Sequence, residues 1–241
     1  MAMYSNKDIL ILAIETSTDV CSVALSKNGE TSDFDIVTEP RMQTSRLAPM
    51  ADDLLRRNGL SARDCSAVAV SSGPGSYTGL RVGVSMAKGL CFGASIPLIA
   101  VNTLDLLAAQ GLSMYKAVYG GKPVDSVVPM IDARRMEVYQ AEYDSDGNRV
   151  SEVEPKILET FSYSGLIAKN RVLFCGNGCK KFEGIAPKGD TFFIECCPEA
   201  QYMAQLAFKK FIAKNFEDVA YMEPFYLKEF SIGVNKKKIL G

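Results

Sequence analysis

Residues 8–29 read DILILAIETSTDVCSVALSKNG, and two hydrophobic patterns meet in them. From Asp8 to Ile14 the run is almost wholly apolar, the mark of a strand buried on both faces. Glu15-Thr16-Ser17-Thr18-Asp19 then forms a polar turn. Val20 to Ser26 alternates, with Cys21, Val23 and Leu25 on one face, and ends at the hairpin signal Lys27-Asn28-Gly29. Ser32 to Val37 alternates again. The spacing predicts a sheet that begins with three antiparallel strands.

Outward from that sheet the period changes. Leu47, Met50, Ala51, Leu54 and Leu55 follow helical spacing within Thr44–Asn58, and Gly59 is the stop. Ser66 to Ser71 reads as a second buried strand, followed by Gly73-Pro74-Gly75 and a helix over about Tyr77–Phe92. A strand at Pro97–Val101 and a short helix at Leu104–Ala109 come next. Strands alternating with helices imply parallel pairing through crossover connections. Gly111–Asp125, rich in glycine, tyrosine and polar residues, is read as a lobe boundary.

Beyond it the plan repeats. Strands are predicted at Val127–Ile131, Met136–Tyr143 and Val150–Val153, then at Val172–Cys175 and Phe192–Glu195. Helical segments fall near Glu159–Lys169 and Pro198–Lys214. The expected fold is α/β, two lobes each with a mixed sheet and crossover helices. Residues 1–110 form the first lobe, 111–230 a smaller second lobe whose last helix is free to pack back on the first, and 231–241 a basic tail.

Composition bounds the function. Lys plus Arg total 27 against 28 Asp plus Glu, so no global charge draws the chain to nucleic acid. The basic cluster Lys236-Lys237-Lys238 reads as a solvated tail or as an RNA contact. There is no histidine, which removes the commonest general base and metal ligand and the motif of a zinc peptidase. Seven scattered cysteines, with Cys175-x-x-x-Cys179 and Cys196-Cys197, lack zinc-site spacing and suit reduced, mostly buried thiols. The apolar run at Ile9–Ile14 is too short to span a bilayer and no cleavage site follows it, so a cytoplasmic chain without membrane contact is expected.

Gly73-Pro74-Gly75 ends a strand at a helix start, with Ser76 as N-cap. Such a start favours anions. It is not a Walker loop, since no Gly-Lys-Ser/Thr follows, and no acidic ribose partner stands near Phe92–Ser95. Along the helix Gly75, Gly79, Gly83, Ala87 and Cys91 make a small-residue stripe. Glycines inside a helix cost about 0.5–1 kcal/mol each relative to alanine. Something must offset that. Two readings stand: packing against the chain's own sheet and first helix, or a surface for a partner.

Ile11-Leu12-Ala13-Ile14-Glu15-Thr16-Ser17-Thr18, the Gly73–Gly83 run, and Ile131-Asp132-Ala133-Arg134-Arg135 with Glu137-Val138-Tyr139 resemble the TsaB (YeaZ) family. The resemblance extends to Pro224-Phe225-Tyr226-Leu227-Lys228. It implies an actin-like ATPase (ASKHA, ribonuclease H-like) fold. It also implies a non-catalytic scaffold that binds and supports the paralogue TsaD. TsaD forms threonylcarbamoyladenosine beside the anticodon of tRNAs reading ANN codons. The ATPase subunit TsaE would join through the TsaD complex, and tRNA would be touched only indirectly.

The metal ligands of TsaD would fall at Thr103 and Leu107, neither able to bind, so no metal, cofactor or catalytic residue is implied. Glu15, Thr16, Ser17, Gly73, Gly75 and Ser76 are candidates for a vestigial phosphate loop. Glu15 stands where actin-like ATPases carry an aspartate. The family's partner interface carries over to Gln43, where many relatives have histidine, and to Leu47, Met50, Leu54, Tyr77, Leu80, Gly83, Val84 and Ala87. A homodimer would use the same helices. Asp132, Arg134 and Glu137 are secondary candidates, with a hairpin salt-bridge network as the plainer role. The alternative function is an independent ATPase or phosphotransferase.

Overall fold

The computed structural model describes residues 8–39 and 43–227. The Lys236–Lys238 cluster lies outside them. The first sheet is built from β1 (Leu10–Glu15), β2 (Cys21–Lys27), β3 (Glu30–Val37), β4 (Ala67–Gly73) and β5 (Leu98–Asn102). Its order is β3-β2-β1-β4-β5, antiparallel across the first three strands and parallel thereafter. Both faces are covered, which explains the apolar run in β1. Leu12 and Ile14 face α1 (Gln43–Arg57) and α2 (Tyr77–Ala94), joining Leu47, Leu54, Val70 and Val84 in one core. Ile11 and Ala13 face the opposite way. There α3 (Thr103–Tyr119) supplies Leu106, and Met203 and Ala207 come from the 3-10 turn at Ala200–Met203 and the following α6 (Ala204–Ile212). The last helix thus packs on the first sheet.

The second sheet uses β6 (Ser126–Asp132), β7 (Glu137–Gln140), β8 (Tyr143–Asp144), β9 (Glu154–Ile157), β10 (Val172–Cys175) and β11 (Thr191–Ile194). Read from β9 the order is β9-β7-β6-β10-β11, the order of the first sheet repeated, with β8 pairing β6 at the side. Two short helices, α4 (Ser164–Ile167) and α5 (Cys179–Glu183), cover one face. The repeat inferred from pattern is therefore real in topology.

The helix expected near Glu159–Lys169 is only the four residues of α4, and α5 was not expected. Two further differences bear on the lobes. The third strand of the second lobe lies at Glu154–Ile157 rather than Val150–Val153. The chain first turns at Glu142, whose carbonyl accepts from Val150 N–H and whose N–H donates to Ser151 Oγ, which splits β7 from β8. The helix expected to stop at Ala109 continues to Tyr119, through the residue where the lobe boundary was placed. Gly111 is there for contact, not for a break. A Cβ on it would lie 2.5 Å from Cys175 Sγ, so the missing side chain lets α3 seat on the second sheet. Leu104, Leu107 and Ala108 join that sheet's core while Leu106 joins the first, making α3 the shared wall of both lobes. Tyr143 adds a buried tie, its hydroxyl donating to Asp105 at 2.6 Å.

Candidate functional site: a cleft at the strand ends

In open parallel sheets, ligand sites form beyond the carboxyl ends of the strands. The loops after β1, β4, β6 and β10 meet here at those ends, around a cleft of about 920 Å³. Ser17 to Asp19 follow β1, Pro74 to Thr78 follow β4, Ala133 to Arg135 follow β6, and Asn177 follows β10. The segment Phe225–Leu227 returns to form one edge. Its Phe225 N–H donates to Ser72 O, and Tyr226 packs against Tyr77 with the rings tilted and their centroids 4.9 Å apart. Arg81 binds this edge from behind, its Nε donating to the Tyr226 hydroxyl while the guanidinium lies over Tyr77.

Two residue sets that are far apart in sequence come together in this space. Ser17, Gly75 and Ser76 line it from the first lobe, and Asp132, Arg134 and Glu137 from the second. Glu15, Thr16 and Gly73 do not reach it. Glu15 has no exposed surface, and one of its carboxylate oxygens accepts from Ser17 N–H at 2.5 Å. The other has no hydrogen-bond partner of normal geometry, nor do the buried hydroxyls of Ser17 and Ser71. Burial pushes this carboxyl up from 4.5 to about 7, only partly offset by the Ser17 and Ser71 groups near it.

The helix start is closely fitted to that turn. Ser76 N–H donates to Ser17 O, and Ser76 Oγ caps the helix by accepting from Gly79 N–H. Thr16 Oγ1 donates to Gly79 O at 2.7 Å. A Cβ at Gly75, Gly79 or Gly83 would stand 2.4, 2.0 or 2.3 Å from an atom of Ser17 or Thr16. Of the two readings of the small-residue stripe, packing on the chain's own sheet therefore applies to these three glycines. Thr103, where the resemblance put a lost metal ligand, is buried and its Oγ1 accepts from Gly73 N–H, bracing the same turn.

The residues carried over as a partner interface need correction on the same ground. Leu47, Met50, Leu54, Leu80, Val84 and Ala87 are core residues, and Gly83 is sealed against Thr16. Tyr77 lines the cleft, and Gln43 begins α1. The outward face of α2 carries other residues. Phe92 is 83% exposed, Ser85 is exposed, and Gly89 and Gly93 have open space where a Cβ would go.

The hairpin after β6 holds the residue that sequence reasoning passed over. Arg134 and Arg135 both have left-handed backbone, with φ of 72° and 51°. Each such non-glycine residue carries strain of about 1–3 kcal/mol. Asp132 is engaged from three sides: its carboxylate accepts from Arg134 N–H and from Lys181 Nζ, and its N–H donates to Asn177. Among the described residues neither Arg134 nor Arg135 forms an ion pair. The signal for Arg135 was in plain view, beside Arg134 in the quoted Asp-Ala-Arg-Arg segment.

Two α/β sheets of matching strand order, meeting at a cleft built from their strand-end loops, define a protein of the actin-like ATPase class. Residues 40–222 match the family model described as "TsaD: tRNA N6-adenosine threonylcarbamoyltransferase". The chain is 30% identical over 249 residues to the tRNA threonylcarbamoyladenosine biosynthesis protein TsaB of Haemophilus influenzae, covering 98% of this chain and 99% of that protein. To the TsaB of Escherichia coli it is 32% identical over 239 residues, covering 96% and 98%. The solved structure of YeaZ from Pseudomonas aeruginosa superposes with a TM-score of 0.75 at 27% identity, over 91% of this chain and all of that one. The chain belongs to the TsaB (YeaZ) family, within the wider group that the TsaD family model describes. No helix among the described residues is long and apolar enough to cross a membrane.

Proposed function

We propose that this chain is a non-catalytic docking subunit in the biosynthesis of threonylcarbamoyladenosine in tRNA, binding and supporting TsaD. The observation that carries the reading is near-full-length kinship with TsaB proteins of that pathway. The outward face of α2 supports the docking part. Gly89 lies inside a helix, at a propensity penalty, and yet touches nothing of its own chain at the position of a Cβ. Together with exposed Phe92 it leaves a flat, partly apolar strip on which another helix can approach closely. A second copy of the chain would compete for that strip. TsaE would join through the TsaD complex, tRNA contact would be indirect, and the assembly would work in the cytoplasm.

An independent ATPase would call on Glu15 to hold metal-bound phosphate. A carboxyl with no exposed surface is poorly placed for that.

The test is Gly89→Arg, with Ser85→Arg beside it. Both side chains project into open solvent in the isolated chain, so melting temperature should hold or rise. Association with TsaD, measured by calorimetry, should weaken at least about tenfold, equivalent to about 1.4 kcal/mol. Reconstituted tRNA modification should fall with it. Unchanged association in both variants would remove the docking assignment.

A further inference from the structure

We propose that the second lobe touches the phosphate backbone of RNA directly, in a groove at the amino ends of its strands. The choice of RNA rests on the tRNA pathway reading, and a direct contact here adds to the indirect one made through TsaD. The groove holds about 570 Å³ and lies at the opposite strand ends from the cleft. Residues 122–125 lead into β6, Arg171 into β10 and residues 188–190 into β11, while Lys169 follows α4. A Cβ on Gly189 would lie 2.2 Å from Ile167 Cγ2. The loop before β11 therefore seats directly on α4, and Lys188 and Lys169 line one groove.

Charge decides what fits there. Lys122, Lys169, Arg171 and Lys188 line the groove against two carboxylates, Asp125 and Asp190. Both carboxylates are turned to Arg171: Asp190 accepts from its Nε at 2.8 Å, and Asp125 from its backbone N–H at 2.7 Å. The three lysines are exposed, and none forms an ion pair among the described residues. Like charges gathered without counter-ions repel one another, so the cluster favours a ligand that brings negative charge. The chain carries a net charge of −1, so this excess of cations is local. Local lysines and an arginine suit phosphate contacts, which position a nucleic acid without reading its bases.

The neighbouring surface favours RNA over an acidic protein segment. Tyr119, 46% exposed, ends α3 three residues before Lys122. Its ring centroid lies 4.9 Å from that of Phe192, and the Arg171 guanidinium stands 5.5 Å over Phe192. An exposed aromatic ring and a guanidinium plane beside a cationic groove are surfaces on which unpaired bases stack.

The experiment is fluorescence anisotropy of an unmodified tRNA transcript titrated with the full chain between 50 and 200 mM salt. About four phosphate contacts predict a slope of log K on log salt of about −3 to −4. Lys122→Ala, Lys169→Ala and Lys188→Ala should each reduce that slope by about one. The triple variant Lys122→Glu/Lys169→Glu/Lys188→Glu should weaken binding at least tenfold with its melting temperature unchanged, since all three side chains are exposed. Pyrophosphate and polyglutamate, as competitors, should displace the transcript far less well than a second tRNA. Association with TsaD should be the same in the triple variant, so the RNA contact and the docking assignment are read separately. No tRNA binding at 50 mM salt, or a triple variant that binds tRNA as its parent does, would overturn the proposal. So would competition by polyglutamate or pyrophosphate equal to that by tRNA, which would assign the groove to an acidic protein or a small anion.

Discussion

Gly79→Ala should destabilise the protein by about 3 kcal/mol or more, although alanine is the better helix former. The added methyl would sit 2.0 Å from the carbonyl oxygen of Thr16, and that oxygen belongs to backbone at the end of the central strand. No side-chain rotation relieves the contact. Either α2 withdraws from β1 or the turn after β1 shifts. Each breaks the bond from Thr16 Oγ1 to Gly79 O and loosens Leu80 and Val84 in the core below. Against a typical total stability of about 5–15 kcal/mol, that is a severe loss. Gly89→Ala in the same helix should do the reverse and gain about 0.5–1 kcal/mol, because its Cβ meets open space. Urea denaturation of the two variants reads both signs. A Gly79→Ala protein as stable as its parent would mean that the α2–β1 contact is not as close as described.

Glu15→Gln should change the pH dependence of stability more than any surface charge. The folded carboxyl titrates at about 7 and the ordinary value is 4.5. Between those limits the unfolded chain has released its proton while the folded chain keeps it. Stability therefore falls as pH rises from 4.5 to about 7, and the loss is complete above that. At about 1.4 kcal/mol per pH unit the full loss is a little over 3 kcal/mol. Glutamine keeps an acceptor for Ser17 N–H and offers donors near the Ser71 and Ser17 hydroxyls, with no charge to bury. The variant should match the parent at pH 4.5 and exceed it by about 3 kcal/mol at pH 8. Parallel stability curves from pH 4.5 to 8 would show that Glu15 is not buried as an acid.

The strands were legible because burial on two faces and burial on one leave different periods. β1 shows the first as a continuous run and β3 the second as alternation, while β2 alternates in sequence although both its faces are buried, because Ser22, Ala24 and Ser26 fill the second face. The third strand of the second lobe was misplaced because Val150–Val153 is bounded by two β-branched residues but spends its hydrogen bonds on the turn at Glu142. In the same way Gly111 carries one letter for two causes. A glycine that breaks a helix and one that lets a neighbour approach are identical until Cys175 is placed beside it.

The site divides along the same line. The polar turn after β1, the glycine turn after β4 and the Asp-Ala-Arg segment each stood out singly, because polar and glycine residues at strand ends interrupt the apolar pattern. Their meeting did not, since residues 17 and 76 meet through the pairing of β1 with β4, and residue 134 reaches them only by the packing of both sheets on α3. The apolar residues of α1 and α2 taken as an interface show the opposite error. Helical spacing marks Leu47 and Leu54 as one face of α1 and Val84 and Ala87 as part of one face of α2 but is silent on what covers them, and the answer is the chain's own sheet.

By itself, then, the run from Asp8 to Gly29 determined the kind of sheet, and the glycine turn with the Asp-Ala-Arg hairpin determined the family. Local pattern suffices for these because hydrophobic period and turn chemistry act over a few residues. Only the tertiary structure decided that Glu15 is sealed, that the glycine stripe faces inward, and that two lone arginines look into a shared cleft. Those facts depend on long-range packing, where the identity of the neighbour sets the meaning of the residue.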